Sequence, residues 1–79
     1  MIAYVVVCSD PDRIHTVEAF QERAKAEDYK VREATTTYTD IIREFGEDSE
    51  CGIEVKRGYA RVTQGDDTEW RWTVHKIEV

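Results

Sequence analysis

A lone cysteine near one end of this 79-residue chain is its sharpest chemical candidate. Cys8 closes the apolar run IAYVVVC (2–8), just ahead of SDPDR (9–13). If that segment opens a helix, the sulfur sits at the positive end of the helix dipole, where a thiolate is stabilised. Asp10 and Asp12 oppose this, because their charges disfavour an anionic sulfur. The phosphatase spacing needs five residues between cysteine and arginine, and only four separate Cys8 from Arg13. Neither histidine is adjacent in sequence to act as a base, so a buried structural thiol is the plainer reading. Asp10 and Asp12 could offer carboxylates to a cation, but calcium loops supply more oxygens at regular spacing. Capping a helix and complementing its dipole is the simpler role. His15 and His75 are isolated from each other and from the cysteines, and no CxxC occurs, so no zinc site is expected. There is no glycine-rich phosphate loop and no visible nucleophile, base and orienter. The expectation is a protein with no metal, no cofactor and no catalytic activity.

The non-catalytic surfaces are more informative. The net charge is −6, and residues 1–50 carry all of it, with twelve acids against six bases; residues 51–79 hold five of each sign. The densest acidic stretch is REFGEDSE (43–50), where Glu44, Glu47, Asp48 and Glu50 stand with one base. Such a patch is either a solvated loop or a contact for a Lys/Arg-rich protein surface. Carboxylates spaced like phosphates can stand in for a nucleic-acid backbone. Excess negative charge disfavours direct nucleic-acid binding. One feature points the other way: Tyr59, Arg61 and Arg71 fall on one face of a hairpin, and aromatic and guanidinium groups on a sheet can stack bases.

In its length and its acid-rich stretches EDSE (47–50) and AEDY (26–29), the chain resembles small acidic phage-encoded inhibitors of bacterial defence, among them anti-CRISPR proteins. The resemblance covers size and acidity and no motif, and such inhibitors share no common fold. It implies steric and electrostatic occlusion of a partner's nucleic-acid-binding site in the host cytoplasm. It transfers no residue roles. The readings from sequence are therefore an acidic inhibitor module, a single-stranded nucleic-acid or RNA binder, and a Cys8-dependent thiol enzyme.

The elements that would position these groups follow from pattern. With 41% hydrophobic and 35% charged residues, the chain reads as one globular domain spanning 1–79, with a thin core. No apolar run is long enough to span a membrane. The first residues lack a basic n-region, so no signal peptide is expected, and the location reads as cytoplasmic. Free thiols at Cys8 and Cys51 fit that compartment. IAYVVVC predicts a central strand. Ser9 or Asp10 then caps a long helix running to about Asp28, with Ile14, Val17, Phe20 and Ala24 as its apolar stripe. YKVREATTTY (29–38) reads as an edge strand. TDIIREFG (39–46) reads as a short helix, with Thr39 as its cap and Gly46 as its end. A loop covers 47–52.

The rest reads as a hairpin with its turn near Gly65–Asp67. A two-residue loop pairs Arg61 with Trp70. A three-residue loop pairs Val62 with Trp70 and Ala60 with Trp72, gathering the tryptophans on an apolar face. The second register is preferred because a one-residue slip would invert every side chain. The tryptophans are then core, not a ligand platform. Ile53 and Val55 fall out of phase with Ala60 and Val62, and Gly58 is the natural place for a bulge to correct this. The predicted fold is α+β: about four strands in a mixed or mainly antiparallel sheet, one long helix on one face, order β-α-β-(short α)-β-β. A homodimer through an exposed sheet edge is a further expectation.

Overall fold

The computed structural model describes residues 1–11, 14–46, 50–65 and 68–78, and of residues 14–17 only the backbone. The architecture is α+β, with one antiparallel sheet carrying one long helix on a single face, as the sequence predicts. The sheet has five strands. In chain order the elements are β1 (Ile2–Ser9), β2 (Ile14–Phe20), α1 (Arg23–Phe45), β3 (Cys51–Lys56), β4 (Tyr59–Gln64) and β5 (Thr68–Glu78). Across the sheet they run β2-β1-β5-β4-β3, so the first strand is internal and β2 and β3 are the edges.

The element order differs from the predicted one in the first half. Residues 14–20 continue the sheet instead of forming a helix. β2 folds back on β1, with Tyr4 opposite Phe20 and Ser9 opposite Ile14. The register slips between Val6 and Val7, whose partners are Glu18 and Thr16, so Val17 is an extra residue. A bulge of this kind breaks the strict alternation of a strand. That is why Ile14, Val17 and Phe20 mimic helical spacing.

The helix lies instead over residues 23–45 and absorbs both the predicted edge strand 29–38 and the short helix 39–46. Its buried line is Ala26, Lys30, Ala34 and Ile41. Two alanines let the helix sit close to the sheet, and Thr35 and Thr36 point to solvent, where their β propensity decides little. Thr39 is interior, not a cap. Gly46 ends the helix as expected, with φ 88° and its N–H donated to the Ile42 carbonyl at 2.8 Å.

β3, β4 and β5 form a meander. The stretch read as one strand with a bulge at Gly58 is two strands, joined by a tight turn at Arg57–Gly58. Gly58 supplies φ 76°, which other residues adopt only with strain. The turn resolves the phase problem: Ile53 pairs with Val62 and Val55 with Ala60, on one face. The preferred register of the next hairpin is the observed one, Val62 with Trp70 and Ala60 with Trp72.

The core lies between that face and the helix. Val6, Cys8, Ala60, Val62 and Trp72 meet Ala26, Ala34 and Ile41, with Tyr4, Phe20, Tyr29, Tyr38, Trp70 and Val74 around them. Trp72 is 3% exposed, so the tryptophans serve the core. Among the described residues, the opposite face of the sheet carries no helix. No helix among the described residues is long and apolar enough to cross a membrane.

Candidate functional site

The acidic set is split by what is described. Glu44 is exposed in the last turn of α1, and Glu50 is exposed just before β3. They flank the connection between the two elements. Glu47 and Asp48 lie outside the described residues. The Glu50 backbone is fixed by the β3–β4 pairing, since its carbonyl accepts the Gly65 N–H at 2.6 Å.

Tyr59, Arg61 and Arg71 come together on the helix-free face. Arg61 and Arg71 are directly opposite across β4 and β5, and Tyr59 is opposite Thr73. The Arg71 guanidinium lies 5.8 Å from the centre of the Tyr59 ring, within cation–π reach. Both arginines already have carboxylates. Arg71 donates to Glu69 Oε1 through Nη2 at 2.7 Å and Nε at 3.0 Å. Arg61 stands 3.8 Å from Glu54. The face is thus partly self-neutralised, and the ring that would stack a base is partly covered by Arg71.

Cys8 does not have the helix N-terminus that would favour a thiolate. No helix starts after it, because β1 runs through Ser9 and returns as β2, so there is no dipole to stabilise a thiolate. The thiol is buried on the helix side, opposite Trp72. Burial pushes its pKa up to about 11, with the charges of Asp10 and Glu33 adding to the effect. The capping role expected of Asp10 falls for the same reason, and Asp12 lies outside the described residues. Cys8 and Cys51 are not disulfide-bonded. His75 is exposed, its Nε2 2.8 Å from Thr73 Oγ1. The side chain of His15 is outside the description. Among the described residues no cluster of His, Cys, Asp and Glu could hold a metal ion.

One cluster escaped the sequence reading. Lys30 is 1% exposed in the centre of the helix's buried line. Its ammonium donates to Glu27 Oε1 at 2.5 Å and to the Lys56 carbonyl. Glu27 also accepts the Gly58 N–H through both carboxylate oxygens, at 2.9 and 3.0 Å. Arg23 approaches it at 3.6 Å and lies over the Tyr4 ring at 6.0 Å. Burial alone would raise the Glu27 pKa. Hydrogen bonds from Lys30 and Gly58, with the positive charges of Lys30 and Arg23, outweigh it and hold the carboxyl below its ordinary value. Chemically this is a clamp that ties α1 to the β3–β4 turn. The i,i+3 spacing of Glu27 and Lys30 was its only signal in the sequence.

No family model, no curated protein and no solved structure matches this chain.

Proposed function

We propose that this chain is a small non-catalytic binding or inhibitor module. Its acidic surface, Glu44, Glu47, Asp48 and Glu50, lies against a basic protein surface and occludes a site where that partner binds nucleic acid, in the manner of anti-CRISPR-type inhibitors. The observation that carries this reading is the distribution of compensated charge. Arg23, Lys25, Lys30, Arg43, Lys56, Arg61 and Arg71 each lie within ion-pair distance of a carboxylate of this chain. Glu44 and Glu50 stand exposed beside the same connection. An acidic end with its cations engaged elsewhere attracts basic partners and repels phosphate. A Cys8-dependent enzyme is disfavoured by a thiol held protonated at neutral pH.

The test is capture from a cell lysate, with bound protein and nucleic acid both identified. A basic nucleic-acid-binding protein should be retained, and added DNA or RNA should release it. The variant Glu44→Lys/Glu47→Lys/Asp48→Lys/Glu50→Lys should lose that partner. Undiminished capture by this variant would remove the acidic surface from consideration.

The gathering of Tyr59, Arg61 and Arg71 on one helix-free face favours a second reading, a single-stranded nucleic-acid or RNA surface. It requires that a labelled oligonucleotide bind with steep salt dependence and that Arg61→Glu abolish the binding. Absence of binding at low salt would exclude it.

A further inference from the structure

We propose that two copies of this protein pair through β3, antiparallel, about a two-fold axis passing through Ile53. β3 is an edge of the sheet, so among the described residues one side of its backbone has no neighbouring strand. Two hydrogen bonds fix which residues face outward. The Glu50 carbonyl accepts from Gly65, and the Gly58 carbonyl accepts from Val74. With the observed pairings, the backbone groups of residues 50, 52, 54 and 56 therefore point to β4, and those of Ile53 and Val55 point away from the sheet.

Side chains at this edge are those of a contact. Ile53 and Val55 project on the helix side yet are 38% and 44% exposed. Val31 lies one helical turn beyond Glu27, which touches the β3–β4 turn, and Phe45 falls on the same flank. They are 39% and 56% exposed. Four of the large exposed hydrophobic residues thus border one sheet edge. An apolar edge of this kind is a template for another strand.

Charge chooses the occupant and the register. A register centred on Glu54 places two carboxylates face to face. One that sets Gly52 against itself places Glu50 opposite Glu54. A register centred on Val55 overlaps only the end of β3, because the chain turns at Arg57–Gly58. Centred on Ile53, the whole of β3 pairs with itself, and Glu50 faces Lys56 of the second copy at both ends. Glu54 then faces Gly52 of the second copy. A cleft of about 140 Å³ lies there, lined by Gly52, Ile53, Glu54, Arg61 and Thr63. The incoming carboxylate enters beside Arg61. No like charges stand directly opposite; the two Glu54 carboxylates are diagonal neighbours, each with an Arg61 beside it, so β3 is complementary to itself in this register.

Sedimentation equilibrium of the full chain tests this. The weight-average mass should rise with concentration from 9.2 kDa towards twice that value. Lys56→Glu and Glu50→Lys, taken singly, each make both end pairs repulsive and should weaken the dimer by about tenfold. The double variant restores opposite charges and should recover wild-type association. These side chains are exposed, and an unchanged circular dichroism spectrum and melting temperature will verify folding. The register is tested separately: in a Cys51→Ser background, Ile53→Cys should form an intermolecular disulfide under mild oxidation and Val55→Cys should not. A wild-type chain that stays monomeric overturns the proposal, as does a double variant no better than the singles. Preferential cross-linking at position 55 overturns the register. Lys56 lies outside the acidic partner-binding set, so loss of dimer in Lys56→Glu with lysate capture intact separates this proposal from the proposed function.

Discussion

Replacing Glu27 by alanine should destabilise the protein far more than replacing Lys30 by methionine, although the two side chains form one ion pair. Lys30 is 1% exposed and Glu27 is 20% exposed at the side chain. Glu27→Ala leaves a buried ammonium with the Lys56 carbonyl, and it strips the Gly58 N–H of both acceptors. Breaking a buried pair from one side costs about 3–5 kcal/mol. Partial access of water to Glu27 puts the expectation near the lower end, about 3 kcal/mol. Lys30→Met removes the charge and keeps most of the packing volume. Glu27 then retains Gly58 and Arg23, so the expected loss is about 1 kcal/mol. The total stability of a chain this size is roughly 4–12 kcal/mol. Urea denaturation followed by tryptophan fluorescence suits the problem because Trp72 is buried in the core. With a urea slope of about 1 kcal/mol/M, Glu27→Ala should lower the midpoint by about 3 M and Lys30→Met by about 1 M. The pH dependence follows with a definite sign. The folded Glu27 pKa is depressed, so its contribution is fully present above the unfolded carboxylate value of about 4.3 and is lost as pH falls through the folded value. Glu27→Gln should therefore flatten the acid limb of stability against pH. Equal midpoint shifts for Glu27→Ala and Lys30→Met, or a larger one for Lys30→Met, would refute the clamp.

Two further outcomes follow from the fold. Native Cys8 should react with iodoacetamide at pH 8 slower than in denaturant by a factor on the order of a hundred, given a pKa raised to about 11. Mass spectrometry of the labelled peptides reads this directly, and labelling at near-denatured rates would return Cys8 to the list of reactive groups. Gly58→Ala should cost about 1 kcal/mol, because φ is 76° and the new methyl group would stand 3.4 Å from Arg23 Nη2. A thermal melt should move down by about 4–8 °C, and an unchanged melting temperature would mean the turn relaxes freely.

The second half of the chain was legible in its sequence because alternation there is clean. Trp70, Trp72 and Val74 repeat every second residue, and Ala60 and Val62 match them in a single register. Burial of that face therefore selected the three-residue loop. The phase break at Gly58 was visible too, but phase alone does not separate a bulge from a two-residue turn. The structure chose the turn, and with it one more strand. In the first half, two features hid the fold for opposite reasons. β2 carries an extra residue at Val17, which converts period two into an apparent helical spacing. α1 carries a lysine in its buried line and threonines on its outside, which erases the helical period where it should be strongest.

The same lysine explains why the candidate surfaces were read only in part. From pattern, Glu27 falls near the end of one helix and Lys30 at the start of an edge strand, so nothing in the sequence joins them as a pair on one helix. Their importance arises only when Gly58 and the Lys56 carbonyl, far along the chain, are brought against them. Cys8 differs. Its place before a predicted helix start is the one argument for a reactive thiol, set against the plainer reading of a buried structural one, and that argument goes once β1 turns into β2 instead of a helix. Tyr59, Arg61 and Arg71 do share a face, as alternation requires, but their carboxylate partners Glu54 and Glu69 come from the neighbouring strand and from the same strand two residues away. Whether a basic side chain is available to a ligand thus depends on neighbours along the element as well as on register: Arg61 gains its partner across the sheet, Arg71 along its own strand. At the β3 edge, Glu54 serves both Arg61 across the sheet and Lys56 two residues along the strand, so one carboxylate there answers two cations.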